Sequence, residues 1–174
     1  MVEPTTFGDE RGWFMEVWNG ERYGAAGLPA SFRQTSMSFS QRGVLRGLHF
    51  QNPHAQGKLV CALQGEVLDV AVDVRVGSPG FGRSVAVRLD ARARHQIYIP
   101  EGFAHGFCVL SESALVSYHS TEVYRPADEA GILWNDPDLG IAWPLEGAVV
   151  SPRDAAFPRL RDLPRERLPH YRGA

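Results

Sequence analysis

The sequence predicts an all-β fold, a sandwich or barrel, on three observations. Short β-branched runs recur between Ser36 and Tyr124 at spacings of about ten residues. Clusters of Gly, Pro, Asp and Ser punctuate them. No helical period of comparable length interrupts the series, which disfavours alternating strands and helices.

Residues 59–63, 67–74, 84–89, 95–99, 105–110 and 114–121 are the expected strands. Turn chemistry separates them at 64–66, 77–80, 90–94, 100–102 and 111–113. Successive side chains in a strand point to opposite faces, so parity assigns direction. Leu68, Val70, Val72 and Val74 share one face, and Asp69 and Asp73 share the other. His105, Phe107 and Val109 alternate against Gly106, Cys108 and Leu110. Tyr118 lies with Val116 and Ser120, which turns His119 the other way. A barrel that carries His and Tyr among apolar interior residues is expected to hold a ligand pocket.

The ends differ. Residues 19–26 and the Arg/Pro-rich stretch 158–171 are the expected short helical or coil segments. The tail 162–171 either wraps the barrel or packs on a partner. No internal repeat or low-complexity linker divides the 174 residues, so residues 1–174 are expected to form a single domain.

Composition narrows the partners. The formal net charge of −2 gives no global basic field, so nucleic acid is not an expected partner. A phosphate-bearing ligand would need a local cluster of arginines. Cys61 and Cys108 stand in apolar runs without metal-ligand spacing and are expected as buried free thiols. Neither a secretory leader nor an apolar run long enough to span a membrane is present, so a cytoplasmic protein is expected. Among 18 basic residues, every one is arginine except Lys58. An ammonium is a compact, titratable point charge, which a guanidinium is not, and that difference marks Lys58 as a candidate for chemistry.

The densest cluster of reactive side chains is Arg46-Gly47-Leu48-His49-Phe50-Gln51, followed by Gln56-Gly57-Lys58 and then Pro100-Glu101-Gly102-Phe103-Ala104-His105-Gly106-Phe107. With the strand series, these resemble the two halves of the cupin motif, which implies a cupin-type jelly-roll β-barrel. Metal chemistry in such a barrel asks for a second His near His49 and an acidic ligand beyond it. Gln51 and Lys58 stand there instead. A lysine ammonium repels a divalent ion, so no metal site is expected.

Longer motifs are more specific. Phe7-Gly8-Asp9-Glu10-Arg11-Gly12, Gly43-Val44-Leu45-Arg46-Gly47-Leu48-His49-Phe50-Gln51, Gln56-Gly57-Lys58-Leu59-Val60 and Asp69-Val70-Ala71-Val72-Asp73-Val74-Arg75 resemble the dTDP-4-dehydrorhamnose 3,5-epimerase family. The run from Ile99 to Phe107, Trp134-Asn135-Asp136-Pro137 and Ser151-Pro152-Arg153-Asp154 continue the resemblance in the same order, from about Val2 to Pro158. The resemblance implies a cofactor-free isomerase that inverts C3 and C5 of dTDP-4-keto-6-deoxyglucose. It makes His49 the base, Asp154 its supporting carboxylate, Tyr118 the acid on the opposite face and Lys58 the cation near the C4 oxygen.

Elementary chemistry agrees with those residue types. A C–H beside a ketone is acidic only because charge can move onto the carbonyl oxygen. Inversion needs a base on one face, a proton donor on the other, and a positive group at the developing enolate. A neutral imidazole, a phenol and an ammonium are suited to these three tasks, and nothing changes redox state.

For the nucleotide diphosphate, the resemblance suggests Arg11 and Arg46, whose guanidinium forks match phosphate oxygens. Glu16, Gln34 and Ser36 are further implied substrate contacts. His105, Tyr124, Glu129 and Arg153 complete that set. Strict alternation would put Arg46 and His49 on opposite faces, so either Gly47 marks a bulge or the arginine serves another surface. Family members take some phosphate-side contacts from a neighbouring subunit, which implies a homodimer.

The sequence departs from the family at three places. Ser36 replaces the usual Asn, and His119 replaces the lysine that often follows the acid tyrosine. Relatives carry an extra strand before the Phe7–Gly12 segment, and Met1 stands almost on top of that segment, so either an edge strand is missing or the start is internal. Rival readings are a relative that inverts one centre only, a metallo-cupin isomerase or oxygenase, and a non-catalytic sugar-nucleotide-binding barrel.

Overall fold

The computed structural model describes residues 1–145 and 147–173. In chain order its strands are β1 (Thr6–Asp9), β2 (Gly12–Met15), β3 (Gln34–Gln41), β4 (Val44–Gln51), β5 (Lys58–Gln64) and β6 (Glu66–Asp73). They continue with β7 (Ser84–Asp90), β8 (Gln96–Ile99), β9 (Phe103–Val109), β10 (Ser113–Ser120), β11 (Glu129–Gly131) and β12 (Val149–Val150). Two short helices, α1 (Gly20–Ala25) and α2 (Pro152–Ala155), and two single 3-10 turns complete the elements.

β1 and β2 form a hairpin of their own. The rest make two sheets, one in the order β3-β10-β5-β8 and one in the order β11-β4-β9-β6-β7, with β12 pairing in parallel with β4. These are the two sheets of a jelly-roll barrel, as the sequence resemblance implied. All six expected strands are present, with ends that differ by a residue or two.

The sheets close on an apolar interior. Val60, Ala62, Ile97, Ile99, Ala114 and Val116 of the four-stranded sheet meet Val67, Ala71, Leu89, Phe107 and Val109 of the other. The parity expected for β6 and β9 holds: Val67 and Ala71 share the inward face with Asp69, and Phe107 and Val109 share theirs with His105.

The opposite face of the six-stranded sheet is buried as well. Leu48, Phe50, Val70, Val72, Val74 and Ala104 are covered by Ile132, Leu139, Leu160, Leu163 and Leu168. The C-terminal tail thus wraps the barrel. Its three leucines each contribute about 1.5–3 kcal/mol of burial. Polar groups fix its course: Leu160 N–H donates to the Asp136 carboxylate at 2.9 Å, and Val76 N–H to the Pro169 carbonyl at 2.8 Å. The Trp134-Asn135-Asp136-Pro137 motif therefore serves the tail.

α1 starts where expected, because the Asn19 side chain accepts from the N–H groups of Glu21 and Arg22. α2 corrects the sequence reading, which expected helical segments only at 19–26 and 158–171. Ser151 caps it, Pro152 opens it, and Asp154 lies inside it as a buried residue. Near the N-terminus, Val2 pairs with Gln96 of β8 through two backbone hydrogen bonds. Cys61 and Cys108 are buried free thiols, which burial pushes up to about 11. No helix among the described residues is long and apolar enough to cross a membrane.

Candidate active site

A cavity of about 760 Å³ lies between the two sheets. Gln34, Ser36, Lys58, Tyr118 and Ser120 reach it from the four-stranded sheet, and Arg46, His49, His105 and Glu129 from the six-stranded one. Tyr124, Arg153 and Asp154 close one side. Every site residue expected from the sequence lines this cavity except Arg11 and Glu16.

The presence of both Arg46 and His49 follows from a bulge in β4. Arg46 pairs with Phe107 and His49 with His105, so β4 carries one residue more than β9 across the same span. Gly47, at φ 128°, makes this possible. A Cβ there would lie 2.5 Å from Gly106 Cα, and a Cβ on Gly106 would lie 2.5 Å from the Arg46 carbonyl oxygen. Two facing glycines let β4 and β9 approach while the arginine and the histidine turn to one cavity.

His49 Nε2 lies 2.9 Å from Asp154 Oδ1. Asp154 Oδ2 accepts the Gly47 N–H at 3.1 Å, and the Asp154 N–H donates to Ser151 Oγ at 3.1 Å. Burial opposes charge on Asp154, but hydrogen bonds from His49 and Gly47 outweigh it and hold the carboxyl far below the usual range. An ionised Asp154 fixes the proton of His49 on Nε2 and leaves the lone pair on Nδ1. Phe157 packs edge-on against the imidazole at 5.7 Å between centroids.

A second pair sits deeper. His105 Nε2 is 2.9 Å from Asp69 Oδ2, and the other Asp69 oxygen is buried without a partner among the described residues. Burial disfavours the imidazolium of His105 more than Asp69 favours it, so this ring is held toward neutrality. Lys58, at the start of β5, is pushed down to about 8 by desolvation, against the pull of Asp69 and Glu129. It is an ammonium at neutral pH and within reach of deprotonation above it. Tyr118 pairs with Ser36 on one side and Val60 on the other.

The rim is a network. Gln34 donates to Ser36 Oγ at 3.0 Å and accepts from the Tyr124 N–H at 2.7 Å. Arg46 Nε donates to Ser40 Oγ at 3.0 Å. Tyr124 OH and Arg153 Nη1 both donate to Glu129 Oε2, at 2.8 and 2.7 Å. His119 faces away, against Thr35 and Phe32, as its parity required.

Arg11 and Glu16 are elsewhere. Arg11 sits at the β1–β2 turn, paired with Asp9, and Glu16 pairs with Arg22. The hairpin around Arg11 exposes Phe7, Trp13 and Phe14.

Sequence reasoning missed Asp69 as a site residue, although a carboxylate flanked by Leu68 and Val70 in an otherwise apolar run was its signal. Gln51 and Gln56 also line the cavity. The Gln51 amide is spent on the backbone at His54, Val123 and Arg125, and Gln56 donates to the Glu122 carbonyl. They tie the loops at the cavity mouth.

A polar cavity with a carboxylate-backed imidazole, a phenol and a titratable ammonium is equipped to move protons at an acidic C–H. The family model described as dTDP-4-dehydrorhamnose 3,5-epimerase matches residues 1–162. The chain is 53% identical over 156 residues to the dTDP-4-dehydrorhamnose 3,5-epimerase of Pseudomonas aeruginosa, covering 88% of this chain and 86% of that one. It is 47% identical over 167 residues to the enzyme of the same name from Methanothermobacter thermautotrophicus, covering 94% and 90%. Its structure matches the crystal structure of a dTDP-6-deoxy-D-glucose-3,5-epimerase from Legionella pneumophila in complex with dTDP-4-keto-L-rhamnose. The TM-score is 0.96 at 49% identity, over 98% of this chain and 92% of the other.

Proposed function

The chain belongs to the dTDP-4-dehydrorhamnose 3,5-epimerase family, and from that premise we propose how its own residues invert C3 and C5 of dTDP-4-keto-6-deoxyglucose to give dTDP-4-keto-L-rhamnose. The carrying observation is that the His49–Asp154 pair, Lys58 and Tyr118 all border one cavity, with His49 and Tyr118 on facing sheets.

His49 Nδ1 takes the proton from the carbon beside the C4 ketone, and the electron pair of that bond moves onto the C4 oxygen. Asp154 stabilises the imidazolium as it forms. The Lys58 ammonium stabilises the enolate oxygen. Tyr118 delivers a proton to the opposite face, electrons return from oxygen to carbon, and exchange with solvent restores both side chains. Each centre loses one proton and gains one, so the scheme assigns no cofactor. His105, held toward neutrality against Asp69, is read as a hydrogen-bonding contact to the sugar. Arg46, Arg153, Tyr124, Gln34 and Ser36 are assigned to the rest of the nucleotide sugar.

The reading makes residues 1–174 one catalytic domain, active in the cytoplasm as a homodimer, and gives no part to nucleic acid or membrane. Arg11 supports the dimer: it projects away from its own cavity on a hairpin whose Phe7, Trp13 and Phe14 are exposed. Met37, Phe39 and Leu63 add exposed apolar surface on β3 and β5. A second copy would cover these faces and bring Arg11 and Glu16 to a neighbouring cavity.

The test is proton NMR of dTDP-4-keto-6-deoxyglucose in deuterium oxide. The protein is expected to incorporate deuterium at both C3 and C5 with formation of the inverted sugar, before and after chelation. Exchange at one carbon alone would select the single-centre reading, and binding without exchange would select a non-catalytic barrel.

A further inference from the structure

Arg153 stands between two carboxylates. Its Nη1 donates to Glu129 Oε2 at 2.7 Å, its Nε donates to Asp154 Oδ1 at 3.2 Å, and its Nη2 lies 3.4 Å from His49 Nε2. Asp154 Oδ1 is also the partner of His49. One carboxylate oxygen is thus shared by the base and by a permanent cation. Unopposed, that guanidinium would compete with His49 for Asp154 and would repel an imidazolium beside it. Glu129 is what opposes it. Its Oε2 also accepts from Tyr124 OH at 2.8 Å, which fixes the carboxylate from a second side. Glu129 pairs through β11 with Gln51 of β4, so its backbone is tied to the strand that carries His49.

We propose that Glu129 is a positioning residue of the site: it holds and offsets the Arg153 guanidinium that shares Asp154 with His49, and it supplies a cavity-side anion toward the Lys58 ammonium. The proposal rests on the epimerase reading for its consequence in turnover, but not for its charge balance.

Lys58 gives that balance a direct readout. Lys58 shares the cavity lining with His49 on β4, His105 on β9, Tyr118 on β10, Glu129 on β11, and Arg153 with Asp154 on α2, and Asp69 on β6, the partner of His105, also acts on its charge. Of these, Asp69 and Glu129 favour the ammonium, against the desolvation that brings it down to about 8. Removing the Glu129 charge leaves Asp69 alone, and the ammonium then loses its proton at lower pH. Because Lys58 is the only lysine in the chain, labelling lysine with carbon-13 at Cε produces one side-chain resonance.

The experiment is a pH titration of that resonance in the full-length protein, in Glu129→Gln and in Glu129→Asp, without substrate. The unsubstituted protein is expected to titrate near 8, the Gln variant lower by about half a pH unit or more, and the Asp variant between them. The variants are then assayed for epimerisation across the same range. For Glu129→Gln, kcat is expected to fall by about tenfold or more while KM changes by less than about threefold, with the alkaline fall in rate displaced as the resonance is. A Gln variant whose lysine titrates with the unsubstituted protein overturns the proposal. So does a rise in KM with kcat intact, which would make Glu129 a plain substrate contact. Absence of epimerisation in the unsubstituted protein would remove the functional reading and leave the titration to decide the charge balance.

Discussion

Two histidine–carboxylate pairs stand in one cavity with the same 2.9 Å separation, and their surroundings give them different chemistry. The His49 side chain is 22% exposed and that of His105 only 7%. Asp154 is supplied with hydrogen bonds from His49 and Gly47, which keep it ionised. Asp69, fully buried, has one oxygen on His105 and the other without a partner among the described residues. Behind the His49 ring there is thus an anion whose charge is satisfied by hydrogen bonds. On the His105 pair an imidazolium would have to form in a desolvated pocket beside Lys58. Geometry alone would call both pairs dyads. On the proposed mechanism, solvation is what separates the base from the binding residue.

Substitutions can break that contrast. The largest effect is expected from His49→Asn, which removes the proton acceptor: kcat should fall about ten-thousand-fold or more, while dTDP affinity by calorimetry stays within about threefold. Loss of dTDP binding instead would make His49 a binding residue. Next is Asp154→Asn, with an expected loss of about a thousandfold, because an amide can neither hold the Nε2–H tautomer nor offset an imidazolium. Steady-state rates that match the unsubstituted protein would show the carboxylate to be structural.

Lys58→Arg is expected to cost about a hundredfold in kcat, since a planar guanidinium does not replace a point charge at the enolate oxygen. The pH profile adds a sign. The Lys58 ammonium loses its proton as pH rises through about 8, so the rate should fall there, whereas the arginine variant should show no such fall. The smallest effect is expected for His105→Gln, about tenfold in kcat/KM with no change in the acidic side of the profile, because a hydrogen-bonding contact is lost and not the base. A loss as deep as that of His49→Asn would reverse the two assignments.

Much of this was legible in the chain. The interior strands announce themselves by parity, and the Arg46–Gln51 and Gln56–Lys58 runs carry the cavity's reactive groups. Asp69 was harder, because a carboxylate among valines reads as a strand's wet face. Here both faces of β6 are buried, the outer one by a tail whose packing only the folded chain reveals. The choice between a bulge and a second surface for Arg46 likewise needed the Gly47–Gly106 contact, which joins residues far apart in sequence. α2 escaped because four residues carry no periodicity, although Ser151-Pro152 is a fair start signal. Arg11 and Glu16 fit the family pattern in sequence but face away from their own chain's cavity.

The claim that everything turns on is that His49 and Tyr118 act from opposite sides of one sugar ring. Tyr118→Phe tests it, with dTDP-4-keto-6-deoxyglucose in deuterium oxide followed by NMR. His49 in that variant should still remove protons and return deuterium to the same face, so deuterium should enter the unconverted sugar while inversion is lost. Inversion at an undiminished rate, or loss of all exchange, would contradict the account.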